Sequence, residues 1–307
     1  METLAAGACF VDLQFQSTPR VIATVVLHGA GGVALIDPGP SSALPSLTRQ
    51  LATMGIGWSD VTSILLTHIH LDHAGAVGTL VREHPGLRVH VHCEGIRHLV
   101  DPEKLVASAT RLYGGAMDRL WGEVWPVPAD AVSALSGGER LRAGGRLLDV
   151  AYTPGHASHH VSYFCDDIGV AFVGDTGGVQ LTPGSPVLPP TPPPDIDLEL
   201  WAESLTRIAA WRPGTLFLTH FGSAAPAESH LAELRSNFEL MMGLARTSLE
   251  QGPDDAAREA WFVDRCREVL ERSLASADVS HYETAARLDL SWRGLARYLR
   301  KRSGARV

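Results

Sequence analysis

Residues 65–75 read Leu-Leu-Thr-His-Ile-His-Leu-Asp-His-Ala-Gly, directly after the apolar residues that begin at Val61. An apolar run that short, ending in Thr and polar side chains, reads as a buried strand emptying into a loop. The Ala-Gly-Ala-Val-Gly-Thr-Leu-Val that follows reads as the opening of a packed helix. His68, His70, Asp72 and His73 fall within six positions. Imidazoles at i and i+2, then carboxylate and imidazole at i+4 and i+5, converge on one point only where the backbone curls sharply. A strand-to-helix corner supplies that curl. A lone histidine is usually a core or surface residue, whereas three with an aspartate at this spacing point to metal binding.

Working outward, the 307 residues are 45% hydrophobic and 20% charged, which fits a globular protein of one large domain with room for an appendage. No run of about 18 apolar residues occurs, so no membrane span is expected. The first ten residues lack a basic stretch and a sustained apolar run, so no signal peptide is expected. Cys9, Cys93, Cys165 and Cys266 are far apart in sequence and fit reduced thiols of a cytoplasmic protein better than a disulfide framework or a cysteine zinc site. The formal charge of −8 argues against a general nucleic-acid binder; the partner expected is a small-molecule substrate.

Upstream of the histidine corner, segments 8–15, 20–28 and 33–36 form a β-meander, with the Gly29–Gly32 stretch as a hairpin turn. Residues 41–54 carry helical spacing. Downstream, Val89-His90-Val91-His92 is a short strand whose alternation places both histidines on one face, read as solvent-facing. Residues 95–125 read as helical, with Leu99, Tyr113, Met117, Trp121 and Trp125 either packing the core or walling an apolar substrate pocket. Strands follow in 137–151 and 161–174. The proline-dense stretch 182–197 cannot continue a helix or a central strand, and is expected to form a stiff flap beside a site. A helix over 199–211 and a strand over 215–219 precede an all-helical region with stretches from about 228, over 254–275 and over 282–301. Arg287, Arg293, Arg297, Arg300, Lys301 and Arg302 are read as a solvated basic face. The organisation expected is therefore one domain over 1–227 and a helical region over 228–307.

If the corner binds metal, other strand ends should complete the site. His156 in Thr-Pro-Gly-His, Asp175 in Val-Gly-Asp-Thr and His220 in Leu-Thr-His-Phe-Gly each follow an apolar strand. Two metal ions sharing one carboxylate and one water need about seven protein groups. His68, His70, Asp72, His73, His156, Asp175 and His220 are seven.

This ordered set, HxHxDH, then His, then Asp in Gly-Asp-Thr, then Thr-His, resembles the metallo-β-lactamase superfamily over residues 20–222. The resemblance implies an α/β fold, an αββα sandwich with a two-metal site at one edge, followed here by the C-terminal helices. It implies that His68, His70 and His156 hold one divalent ion, that Asp72, His73 and His220 hold the other, and that Asp175 bridges. Zinc is the first expectation, with iron or manganese as alternatives for such ligands. Asp37 matches a family aspartate that supports the ligands from behind, and His160 is a candidate for the same task. His159 stays open between cavity and surface. An aspartate bridge instead of cysteine points away from the common antibiotic-hydrolysing enzymes, and His70 in place of glutamate points away from flavodiiron reductases. The helical region is similar to those of glyoxalase II and the alkylquinolone-signalling thioesterase, where it walls the cleft or builds a dimer contact. The resemblance thus implies a hydrolase of an ester, thioester or lactone, with Asp72 orienting the nucleophile and receiving its proton. A phosphodiesterase or nuclease of the same fold and a mononuclear iron persulfide dioxygenase are the alternatives.

Overall fold

The computed structural model describes residues 1–304; residues 305–307 of the helical region expected over 228–307 lie outside the described residues. One sheet runs Glu2–Ala5, Ala8–Asp12, Ala23–Gly29, Gly32–Ile36, Val61–Leu65, Arg88–His92, Val132–Leu135, in that spatial order. Its first four strands pair antiparallel and the last three join in parallel. The second sheet runs Gly222–Ala224, Thr215–Leu218, Val170–Phe172, Val161–Cys165, Arg146–Tyr152, Arg140–Ala143. Here the Val170–Phe172 and Thr215–Leu218 strands are parallel.

Period-2 alternation places these sheets face to face. In the first sheet Phe10, Val25, Leu27, Ile36 and Leu65 point to one side, and they meet Val150, Val161, Tyr163, Phe172 and Phe217 of the second. The alternate residues Val11, Val26, Leu35, Ile64 and Leu66 point outward onto the helices Leu44–Thr53 and Val77–Glu83 through Leu47, Leu51, Leu80 and Val81. On the far side, Phe164, Ala171, Leu216 and Leu218 pack under Trp201, Leu205 and Ile208 of Leu198–Ala210. The result is four layers, helix–sheet–sheet–helix. Helices Ala227–Ser248, Asp255–Glu271, Ser276–Ala286 and Leu288–Arg302 follow, and join the inter-sheet core through Val179, Leu181 and Leu188, which touch the cluster holding Met241, Phe262, Tyr282 and Trp292.

Four expectations need correction. The 95–125 stretch is three helices, Cys93–Val100, Glu103–Tyr113 and Met117–Trp121, interrupted at Pro102 and at Gly114-Gly115, where a missing N–H and two side-chain-free residues end regular helix. Trp125 lies outside them, exposed beneath the Arg82 guanidinium. The last helical stretch is two helices broken at Arg287. His92 does not face solvent: it is buried, stacked 4.3 Å from Tyr152 of the second sheet, and accepts from the Glu94 N–H at the head of the Cys93–Val100 helix. The basic face of the last helix is largely paired, Arg287 to Asp289, Arg293 to Glu259, Arg300 to Asp255 and Arg302 to Glu199. Among the described residues no helix is long and apolar enough to cross a membrane.

Candidate metal centre

The parallel strands deliver the polar residues to one edge of the sandwich, the usual place for a site in sheets of this kind. Asp37 follows Gly32–Ile36 and His68 follows Val61–Leu65; Asp175 follows Val170–Phe172 and His220 follows Thr215–Leu218. His156 arrives from the end of Arg146–Tyr152, and the turn Leu71–Ala74 carries Asp72 and His73. The two sheets are tied together beneath this edge, because Val161 N–H donates to Thr67 O at 2.8 Å and the Tyr163 hydroxyl donates to Leu66 O at 2.7 Å.

All seven candidate ligands meet. His68 Nε2 and His156 Nε2 each lie 3.0 Å from His70 Nδ1. Two nitrogens on one tetrahedral zinc at about 2.1 Å would be roughly 3.4 Å apart, so the spacing suits a shared cation. The second group is Asp72, His73 and His220, with His220 Nε2 at 3.3 Å and His73 Nε2 at 3.7 Å from Asp72 Oδ2. Asp175 stands between the groups: Oδ1 lies 3.1 Å from His73 Nε2 and 3.5 Å from His220 Nε2, while Oδ2 lies 3.4 Å from His156 Nε2.

The outer nitrogens of four histidines are held by fixed acceptors. His156 Nδ1 donates to Pro190 O at 2.9 Å and His220 Nδ1 to Val21 O at 2.6 Å. His73 Nδ1 donates to Asp37 Oδ2 at 2.8 Å. The Thr67 hydroxyl donates to Asp37 Oδ2, so its oxygen accepts from His68 Nδ1 at 3.1 Å. Each inner Nε2 is thereby left to present a lone pair to the centre. Asp37 is buried at positive φ and also accepts from Thr67 N–H and the Thr219 hydroxyl, a four-donor anchor behind His73. His160 hydrogen-bonds Thr153 and lays its ring against that of His68, 5.0 Å away. His159 is buried beside the same rings and lines the cavity.

Charge separates the groups. Burial, reinforced by neighbouring imidazoles, pushes His68 well below its ordinary value. Burial outweighs Asp175 at His156 and leaves it at about 4. At His73 burial acts the same way, yet Asp175, Asp72 and Asp37 together lift it well above its ordinary value; Asp175 and Asp72 raise His220 likewise. The carboxyls answer in kind: despite burial, His73 and His220 hold Asp72 down at about 2, and Asp175 is also strongly lowered. Among the described residues, His73 Nε2 and Asp175 Oδ1 are buried and have ion-pair contacts, with each other at 3.1 Å and from Oδ1 to His220, in place of well-directed hydrogen bonds. Buried polar atoms so poorly satisfied are costly, and a divalent cation would satisfy both, so the residues fit metal ions.

Over the centre lies a cavity of about 420 Å³ with three walls. One wall is Glu94–Tyr113, carrying Arg97, Lys104, Arg111 and Tyr113; the second is the proline stretch from Pro190 to Asp195; the third is Ala285–Ser291, including Arg287. The proline stretch lies where a flap is expected, and Tyr113 and Trp121, open in sequence between core and wall, do both; the sequence reads Arg287 as solvated because the helix break that aims it carries no strong local signal.

The Metallo-beta-lactamase superfamily model matches residues 17–220. The chain belongs to that superfamily. It is 28% identical over 237 residues to the metallo-beta-lactamase fold-containing protein ST1585 of Sulfurisphaera tokodaii, covering 74% of this chain and 83% of that one. A hydroxyacylglutathione hydrolase of Fuscovulum blasticum is 32% identical over 200 residues, 62% of this chain and 58% of the other. One from Synechococcus is 31% identical over 151 residues, covering 49% of this chain and 47% of its own. The chain thus spans about half the length of these hydroxyacylglutathione hydrolases. Among solved structures, the metallo-beta-lactamase family protein TTHA1429 from Thermus thermophilus matches with TM-score 0.71 and 25% identity, covering 98% of this chain and 95% of that one. The superfamily membership, these relatives and the His/Asp groups support a metal-binding hydrolase of this fold.

Proposed function

We propose that the protein hydrolyses an ester, thioester or lactone bond of a small molecule with two divalent metal ions. The observation that carries this reading is Asp175, whose two oxygens face two separate ligand groups at the floor of one cavity. His68, His70 and His156 would hold one ion, Asp72, His73 and His220 the other, and Asp175 both. Zinc is the expected metal. Such ions, when bound, supply a hydroxide at neutral pH and draw electron density from an acyl oxygen.

The chain's own residues do the rest. Asp72 is the candidate catalytic group, because it is a quarter exposed and opens to the cavity while the other carboxylate is buried. Its Oδ2 faces His220, and Oδ1 has no hydrogen bond among the described residues. The Asp72 carboxylate would accept a hydrogen bond from the attacking water, orient it, and take its proton as the carbonyl carbon becomes tetrahedral. The walls hold the substrate and exclude water: Tyr113, Trp121 and the prolines offer apolar surface, while Arg97, Lys104, Arg111 and Arg287 place positive charge around it. A cavity of this volume suits a small molecule rather than a polymer. The names of the hydroxyacylglutathione hydrolases support a thioester among the candidate bonds.

Elemental analysis of the purified protein, paired with a panel of acyl thioesters, lactones and bis-p-nitrophenyl phosphate, tests the reading. Two metal equivalents with acyl hydrolysis are expected. One iron per chain with oxygen uptake, or turnover of the phosphodiester alone, would overturn it.

A further inference from the structure

His159 has no task in the centre described above. It is buried, with 7% of its surface exposed, yet among the described residues its Nδ1 has no hydrogen-bond partner. Its ring lies parallel to that of His68 at 6.2 Å and edge-on to that of His70 at 6.0 Å, and it lines the cavity. Its position is fixed by backbone: Thr153 N–H donates to His160 O, His160 N–H to Ala157 O, and the Tyr152 hydroxyl to Ser158 O. From the other side the Cys93–Val100 helix closes on it at Gly95, where a Cβ would stand 3.6 Å from His159 Cβ. A rigidly placed buried imidazole left without a partner costs stability, and an apolar ring of similar size would avoid that cost.

We infer that His159 is a specificity-determining residue that hydrogen-bonds a hydroxyl or amide group of the substrate, one or two bonds from the scissile carbonyl. This rests on the hydrolase reading above. A neutral imidazole donates from one nitrogen and accepts at the other, so it suits an uncharged group that can do either. With its ring 6.0 Å from that of His70, it reaches a substituent next to a carbonyl held at the metal ligands rather than the carbonyl itself.

The test compares matched thioesters of N-acetylcysteamine: 2-hydroxybutyryl against butyryl for a hydroxyl, and N-acetylglycyl against pentanoyl for an amide. The wild-type protein is expected to show a KM at least roughly tenfold lower for the polar member of one pair, since a site built to bond a polar group is left with an unpaired one by the apolar analogue. In His159→Phe that ratio is expected to collapse towards one, with bound metal retained and no fall in melting temperature. His159→Gln, which keeps an amide in place of a ring nitrogen, is expected to recover part of the ratio, and it carries the test if the phenylalanine variant does not fold. Absence of any preference in the wild type, a preference that survives in His159→Phe, or loss of metal from that variant would overturn the assignment. Calorimetric binding of the ketone analogues, with a methylene in place of the thioester sulfur, separates the two readings. Preference among ketones without hydrolysis of any thioester refutes the hydrolase and keeps His159 as assigned. Hydrolysis of both members of each pair without preference does the reverse.

Discussion

The two ligand groups of the centre sit side by side but are organised by different forces. His68 and His156 have their outer nitrogens tied to a hydroxyl and a carbonyl, and their inner nitrogens each lie 3.0 Å from His70 Nδ1. No carboxylate belongs to that trio, and three ring nitrogens that converge so closely gain from a shared cation. Asp72, His73 and His220, with Asp175, form instead a set of buried ion pairs in which carboxylates and imidazoles stabilise one another's charges. A metal entering the second group must displace those protons, whereas the first gives up none. Equal ligand counts therefore need not mean equal affinity or equal pH dependence.

The harshest way to break the comparison is to delete ligands from one side at a time. His68→Ala with His70→Ala is expected to abolish turnover by at least roughly a thousand-fold and to remove metal, while His220→Ala should retain about one equivalent. Metal content by elemental analysis beside kcat measures both, and a double variant that stays active without metal would refute the site. Asp37→Asn strikes chiefly behind the second group, since its carboxylate accepts from His73 directly and reaches His68 only through the Thr67 hydroxyl. Metal affinity is expected to fall by about 10–100-fold, as for other groups that orient ligands. Equal weakening of both sites in a competition titration with a chelator would show that Asp37 does not distinguish them.

The mildest probe is pH. His73 has its pKa raised by its carboxylate neighbours, so below that raised value it carries a proton that metal must expel. Affinity for the second equivalent should therefore fall by about tenfold per pH unit for each proton released as pH drops. His156 titrates at about 4, so the first equivalent should hold its affinity down towards that value. Calorimetric zinc titrations in buffers of different ionisation enthalpy count the protons, and two equivalents with identical pH profiles would contradict the asymmetry.

What was readable in advance follows physical range. His68 to His73 share one backbone corner, and His156, Asp175 and His220 each end an apolar strand beside a turn residue, so local pattern located them. Chain order within the sheets was equally legible where alternation was strong, as in Ala23–Gly29 and Gly32–Ile36. The short edge strands Glu2–Ala5 and Gly222–Ala224 were not, because three or four residues carry little periodicity. His92 was misplaced because what covers it, Tyr152, is 60 positions away and in the other sheet. The cavity is hardest of all: its walls come from residues near 100, 192 and 288, and their meeting depends on tertiary packing that no window of sequence records.

One of those walls reaches further than shape. His156 is oriented by Pro190 O, and the next residue, Thr191, bonds Ser291 of the last helix through both its N–H and its hydroxyl. That helix comes so close that a Cβ at Gly294 would meet Thr191 O at 2.0 Å. A strut thus runs from the C-terminal helix through the proline stretch to a candidate ligand of the centre. Domain grafting between relatives would therefore fail to transplant selectivity alone: exchanging the terminal helices for another set would also re-aim His156, and reactivity and recognition would change together.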